Sequence, residues 1–276
     1  MNSKRNNNAK KVEDLKKKTD YTFNDLVDIM EILRSENGCP WDREQHHKTI
    51  RNNLIEECYE AVEAIDTENS ELLREELGDV LLQVVFHAKI SEDDGGFNID
   101  GVADRICKKL ILRHPHVFGD VAVSDSGEVL KNWDVIKKKE KSLESGSSVM
   151  KSVSPALPAL MRASKVQKKA ANEHFDFNNT AETIEKLTEE LSELKEAIES
   201  GNKDNIEEEF GDLLFSAVNL SRFIKVNAEE ALTHSTDKFV TRFERCEHLA
   251  LNDGKIFSQL SFDEQNEYWD KAKKQL

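Results

Sequence analysis

Between residues 54 and 86 apolar positions recur on a helical period. Leu54, Cys58, Ala61, Val62 and Ile65 follow one another at steps that keep them on one helix face. The stretch "DTENS" (Asp66 to Ser70) comes next, built from residues that end and cap helices. Leu73, Leu77, Val80, Leu81 and Val84 then share a face of a second helix, which turns almost wholly apolar in "VLLQVVF" (Val80 to Phe86). That portion is expected at the buried centre of a helical bundle.

The pattern returns 133 residues later. "LIEECYEAVEAI" (Leu54 to Ile65) aligns with "LTEELSELKEAI" (Leu187 to Ile198), and "REELGDVLL" with "EEEFGDLLF". The second turn is "ESGNKD" (Glu199 to Asp204), and a Trp-Asp step followed by lysines closes each copy, "NWDVIKKK" and "YWDKAKKQ". A repeat of this length marks a duplicated structural unit. The expected fold is all-α, with two tandem helical-bundle domains. The Ser-, Gly- and Pro-bearing stretch "SLESGSSVMKSVSPALPAL" divides them. The expected boundaries are a disordered tail over 1–20, a first domain over 21–141, a linker over 142–160 and a second domain over 161–276.

Composition supports the helical reading and narrows the function. Eleven Gly and four Pro in 276 residues, with 34% charged residues, lean towards helix. A net charge of −15 argues against general nucleic-acid binding, which needs basic surface. Cys39, Cys58, Cys107 and Cys246 form no CxxC pair, which disfavours disulfides and zinc and suits a reducing compartment. "MNSKRNNNAKK" leads into no apolar signal core, and "VLLQVVF" is too short to span a bilayer. A cytoplasmic protein is expected, with no membrane partner.

The chemistry lies in acids set into these helices. Glu56, Glu57 and Glu60 stand on the first helix and Glu75, Glu76 and Asp79 on the second. Copy two repeats them as Glu189, Glu190 and Glu193, then Glu208, Glu209 and Asp212. Each inner pair is an i,i+3 neighbour, and antiparallel helices bring both pairs to one height, about 15 Å from the turn. A single such cluster is ordinarily a solvated face. Recurrence with identical spacing, matched height and a following basic pair (Arg105 and Lys109; Lys238 and Arg242) favours a site. Converging carboxylates repel unless a cation sits among them, and all-oxygen ligands suit Mg2+, with Mn2+ as an alternative. The implied chemistry is metal-assisted handling of a phosphate chain. Gly78 and Gly211 cost about 1 kcal/mol each inside a helix, which is explicable if helices approach closely there or pack simply.

ExxE, fifteen residues, then ExxD resembles the MazG family of nucleoside triphosphate pyrophosphohydrolases, as do "GCPWDREQ" (Gly38 to Gln45) and "LRHPHVFGD" (Leu112 to Asp120). The likeness covers roughly residues 20–276. It implies Mg2+-dependent cleavage of nucleoside triphosphates to monophosphate and pyrophosphate, broad base tolerance and a homodimer. By motif position Glu190, Glu193, Glu209 and Asp212 would be metal ligands, matched by Glu57, Glu60, Glu76 and Asp79. Lys186, Lys238 and Arg242 would grip phosphate, with Arg105 and Lys109 matching the last two. Trp269 would stack on the base, with Trp133 in the corresponding role. Glu189 and Glu208 (Glu56 and Glu75 in copy one) are candidates to activate water. Asn53 stands where copy two has Lys186, so the second domain is expected to carry most of the activity.

Other residues read as structural. His114 and His116 flank Pro115 in a local turn, His87 is a hydrogen-bonded core residue, and Cys39, Pro40 and Trp41 form a plug or substrate wall. Lys137 to Lys139 read as a solvated helix end. Rival functions are a non-enzymatic acidic interaction module and a narrower all-α dUTPase-like pyrophosphatase. A di-iron bundle is disfavoured, because the acid helices carry no Glu-x-x-His.

Overall fold

The computed structural model describes residues 2–140 and 145–274, with side chains from residue 8 onward except those of 131, 134 and 138. Positions 142–144 of the expected linker therefore lie outside the described residues. In chain order the helices are α1 (Asn2–Lys16), α2 (Phe23–Leu33), α3 (Pro40–Glu44), α4 (Arg51–Asp66), α5 (Ser70–Asp93), α6 (Ile99–Arg113), α7 (Pro115–Phe118) and α8 (Ser126–Glu140). Then come α9 (Gly146–Lys151), α10 (Ala159–Asn172), α11 (Thr180–Ser200), α12 (Lys203–Phe223) and α13 (Ala228–Asn252). A 3-10 turn (Phe257–Gln259) and α14 (Phe262–Lys273) complete the set, and no strand occurs among the described residues.

Contacts divide the chain between Asp134 and Val135, inside α8. The polar start of the chain is helical: Lys11 on α1 pairs with Asp28 at 2.7 Å and Glu31 at 2.5 Å on α2. In unit 1, α2 lies against α5 over a core of Met30, Ile50, Val85, Phe86 and Ile90. Full burial of one such side chain stabilises by roughly 1.5–3 kcal/mol. Asp25 starts α2 by accepting from the backbone N–H of Thr22 at 2.8 Å. The Lys18 ammonium and Thr22 hold the Asp25 carboxyl down at about 2.

In unit 2, α10 packs on α9, α12 and α13, and α13 folds back on α14. Cys246, Ala250, Phe257, Tyr268 and Ala272 are buried there, with Trp269 and Leu249 against them. The Tyr268 hydroxyl donates to Asp253 at 2.8 Å.

Each unit is centred on a two-helix hairpin, α4–α5 and α11–α12. The turns are short because their residues satisfy the helix ends. Gly201 takes the left-handed conformation (φ 71°) after α11, and the Asn202 side chain accepts from the N–H groups of Asp204 and Asn205. In unit 1, Glu68 turns left-handed (φ 52°) and the Asn69 side chain accepts from Leu72.

Ala61 and Ala64, like Leu194 and Ala197, are buried along the hairpins. Much of the apolar stripe expected inside a bundle is nevertheless open. Val62, Ile65, Leu77 and Leu81 are exposed in unit 1, and Ile184, Leu191, Ile198, Phe210 and Leu214 in unit 2. Two helices form one layer, and a single layer cannot cover both of its faces. Gly78 and Gly211 belong to this open side, since a methyl group at either would meet no atom within 4 Å. Within one chain, no close helix approach accounts for them.

Candidate active site

The hairpins bring the expected acids together. In unit 2 one carboxylate oxygen each from Glu190, Glu193 and Glu209 lies within 4.8 Å of the others. In unit 1 the corresponding trio is Glu57, Glu76 and Asp79. Each expected quartet thus contributes three members. Glu60 falls outside the unit 1 trio, and Asp212 falls outside the unit 2 trio but lines the cavity beside Glu190.

Crowding shows in the titration of these groups. Burial, then the charges of Glu193, Glu190, Asp212 and Glu208, push the Glu209 carboxyl above the usual range. Burial, a hydrogen bond with Glu60 and the Asp79 charge do the same to Glu57. Burial and the charges of Glu60 and Asp79 raise Glu76. All-oxygen donors that resist ionising together fit a hard divalent cation.

The units differ in what balances this charge. The Lys186 ammonium bonds Glu190 at 2.8 Å and Glu189 at 3.0 Å, and those bonds raise its own pKa. The matching residue in unit 1, Asn53, carries no charge. Glu189 and Glu208 are exposed beside their trio, as are Glu56 and Glu75 beside theirs.

A cavity of about 530 Å³ opens on the unit 2 acids. Lys186, Glu190 and Asp212 form one part of its wall, and Met150, Phe175, Phe177 and Phe215 supply apolar surface. His174, at φ 64°, starts the loop that crosses it, and Arg222 holds that loop by pairing with Asp176 at 2.7 Å. In unit 1 the residues 133 positions earlier differ in kind. Arg34 replaces Gln167 and lies 5.5 Å above the ring of Phe86, which replaces Asn219. Arg34 also binds Asp93 at 2.8 Å and the Gln45 carbonyl at 3.1 Å. Trp41 meets Phe86 edge-on at 6.5 Å.

The remaining expected contacts lie on other helices. Lys238 is exposed on α13, while Arg242 is half-buried with a Nε that no protein atom satisfies. Trp269 packs against Phe239 at 5.1 Å. Among the described residues, no ion pair joins Lys238 or Arg242 to the unit 2 acids. Arg105 and Lys109 are exposed on α6. Trp133 sits under Arg113 (5.6 Å) and beside His114 (4.9 Å).

His114 also bonds the Leu110 carbonyl at 2.6 Å, in keeping with a local turn role. His87 bonds the stacked ring of His47 at 2.9 Å, but it is half-buried rather than in the core and its Nε2 is enclosed without a partner among the described residues.

The sequence reading missed the cavity. Its signals were the aromatic loop "HFDFNN" and the polar Ser216 and Asn219 inside the apolar run of α12.

Duplicated antiparallel helices with converging carboxylates define a class of tandem all-α, acid-cluster proteins. The sequence profile of the MazG nucleotide pyrophosphohydrolase domain matches residues 45–118 and again 178–247. The chain is 48% identical over 259 residues to "Nucleoside triphosphate pyrophosphohydrolase/pyrophosphatase MazG" of Thermotoga maritima, covering 93% of this chain and 98% of that one. It is 40% identical over 253 residues to "Nucleoside triphosphate pyrophosphohydrolase" of Escherichia coli K12, covering 91% and 96%. It also shares 46% identity over 254 residues with the uncharacterized protein YabN of Bacillus subtilis, of which it spans 52%. The chain belongs to the MazG family.

Proposed function

We propose that the chain is a nucleoside triphosphate pyrophosphohydrolase, cleaving ATP and other triphosphates to the monophosphate and pyrophosphate, with unit 2 carrying most of the activity. The observation that carries this reading is one continuous site: three carboxylates within 4.8 Å, a lysine bonded to one of them, and an adjoining base-sized cavity. Glu190, Glu193, Glu209 and Asp212 would hold Mg2+, or Mn2+ in its place. When bound, the ion supplies the positive charge that a triphosphate needs and makes water a better nucleophile. Lys186 lines the same cavity and offers its ammonium to the phosphates. Glu189 and Glu208 would take the proton from water.

The apolar, aromatic cavity would give a flat base a seat. Stacking on such walls accepts any nucleobase, which supports broad tolerance. The open stripe supports a homodimer: Ile184, Leu191 and Ile198 recur every seven residues, the spacing of a helix–helix seam. A second copy over this face would bury it and complete a four-helix unit. Lys238, Arg242 and Trp269, on helices with much exposed surface, are proposed to serve the phosphates and base in that assembly.

Nucleotide substrates, four free cysteines and the lack of a membrane-crossing helix among the described residues support a cytoplasmic housekeeping role. The test is pyrophosphate release from a panel of nucleoside triphosphates in Mg2+. Release that Glu209→Gln abolishes is expected. Absence of release from every triphosphate, or release that this variant leaves intact, would refute the reading.

A further inference from the structure

The loop over residues 173–179 joins α10 to α11 along the wall of the unit 2 cavity. Its backbone is tied down step by step. His174 is left-handed (φ 64°), and the Phe175 N–H donates to the Ala170 carbonyl at 3.0 Å, closing the end of α10. Asp176 accepts from the Phe177 N–H at 3.1 Å. It also meets the Arg222 guanidinium as a fork, 2.7 Å from Nη2 and 3.4 Å from Nη1. Arg222 is steadied in turn by Asn219, whose Oδ1 accepts from Nη1 at 2.5 Å. Further on, the Asn178 N–H donates to Glu182 in the first turn of α11 at 2.9 Å. Yet the Phe175 side chain that this scaffold carries is 82% exposed, while lining the cavity. Lone exposed apolar side chains are ordinary on a surface. This one has a fixed backbone on both sides and opens on a cavity also bounded by Lys186, Glu190 and Asp212, the arrangement of a preorganised contact left uncovered.

We infer that Phe175 is the platform for one face of the nucleobase, and that the Arg222–Asp176 ion pair is the positioning element that holds this platform at the cavity. The inference rests on the reading of this site as a triphosphate hydrolase and names the residues that receive the base. Stacking needs only a π face, so the contact serves every nucleobase, in keeping with the proposed breadth. It also covers the bare ring, and removing that apolar surface from water favours the complex. Without the ion pair, residues 174–177 regain conformational freedom, and an arriving nucleotide has to order them. The cost falls on affinity for the base and leaves the phosphate contacts of Lys186 as they were. That separation distinguishes a positioning pair from one that merely supports the fold.

The test measures kcat and KM for ATP and CTP with the whole protein in Mg2+, and the inhibition constant of inorganic triphosphate, which has no base. Phe175→Ala is expected to raise KM for both nucleotides about tenfold, with kcat within about twofold. The inhibition constant of inorganic triphosphate should stay at its wild-type value, and Phe175→Trp should keep the wild-type KM. Arg222→Met should raise the nucleotide KM about fivefold and again spare inorganic triphosphate. The double variant should be no weaker than Phe175→Ala alone, because the ion pair acts through the ring. Asp176→Asn repeats the measurement should the Arg222 variant fold poorly. A KM that Phe175→Ala leaves unmoved, an inhibition constant that rises in step with KM, or additive losses would overturn the inference. So would weaker self-association of Phe175→Ala in place of a raised KM, which would make a second copy the occupant. Calorimetry with α,β-methylene ATP reads the same loss without turnover. Analogue binding that Phe175→Ala weakens, in a protein that releases no pyrophosphate, would sink the hydrolase reading and leave this one standing; release with KM unmoved would do the reverse.

Discussion

Units 1 and 2 set matching carboxylates on matching hairpins, yet their surroundings differ. In unit 2 Lys186 stands among the acids and an open cavity adjoins them. In unit 1 Asn53 takes the lysine's position, and Arg34 and Trp41 pack against Phe86. The same backbone scaffold and acid spacing therefore sit in two different surroundings. On the proposed reading, a counter-charge and room for the base would favour unit 2 as the copy that uses its acids. In unit 1 the raised Glu57 and Glu76 still show the crowding of assembled acids.

The comparison breaks most sharply at the acids themselves. Glu209→Gln or Asp212→Asn is expected to lower pyrophosphate release about a hundredfold or more, and Glu76→Gln only a few-fold. Steady-state assays of the three variants decide it, and a larger loss from Glu76→Gln would reverse the assignment of the units. Next comes the counter-charge. Lys186→Asn, which gives unit 2 the residue of unit 1, is expected to lower kcat/KM for ATP about tenfold, mainly through KM.

Stability should report the crowding. Glu209 has a raised pKa, so it binds its proton more tightly folded than unfolded. Its contribution is present at low pH and is lost as pH rises through the raised value. In chelator at neutral pH, Glu209→Gln should therefore melt above the wild type, with the gap closing towards about pH 4. Saturating Mg2+ should stabilise the wild type more than the variant, and calorimetric scans in both conditions check the sign. The smallest effect concerns the open face. Gly211→Ala should stabilise the helix by about 0.5–1 kcal/mol where the face stays open, and weaken self-association if a second copy covers it. Denaturant melts and sedimentation read the two outcomes.

Much of this architecture was legible in the chain. The helical period around Leu54 to Ile65, the 133-residue repeat and the acid spacing specify the hairpins, because helix geometry is local and periodic. What covers a face is not local. The same stripe describes a residue buried in its own chain, such as Val85, and one left exposed, such as Leu81. The cavity escaped notice because its walls come from α9, α10, α11, α12 and a loop, which no single period connects. The helix α1 occupies residues expected as a tail, since a polar pattern gave no sign of the Lys11 pairs with α2.

Lys186 has a further consequence. A cation that takes the Glu190 oxygen now bonded to Lys186 would displace that ammonium, and Lys186 also lines the cavity. Loading of the ion is thereby expected to swing a positive arm into the path of the incoming triphosphate. The order of arrival, ion first and nucleotide second, would follow from a single displaced lysine.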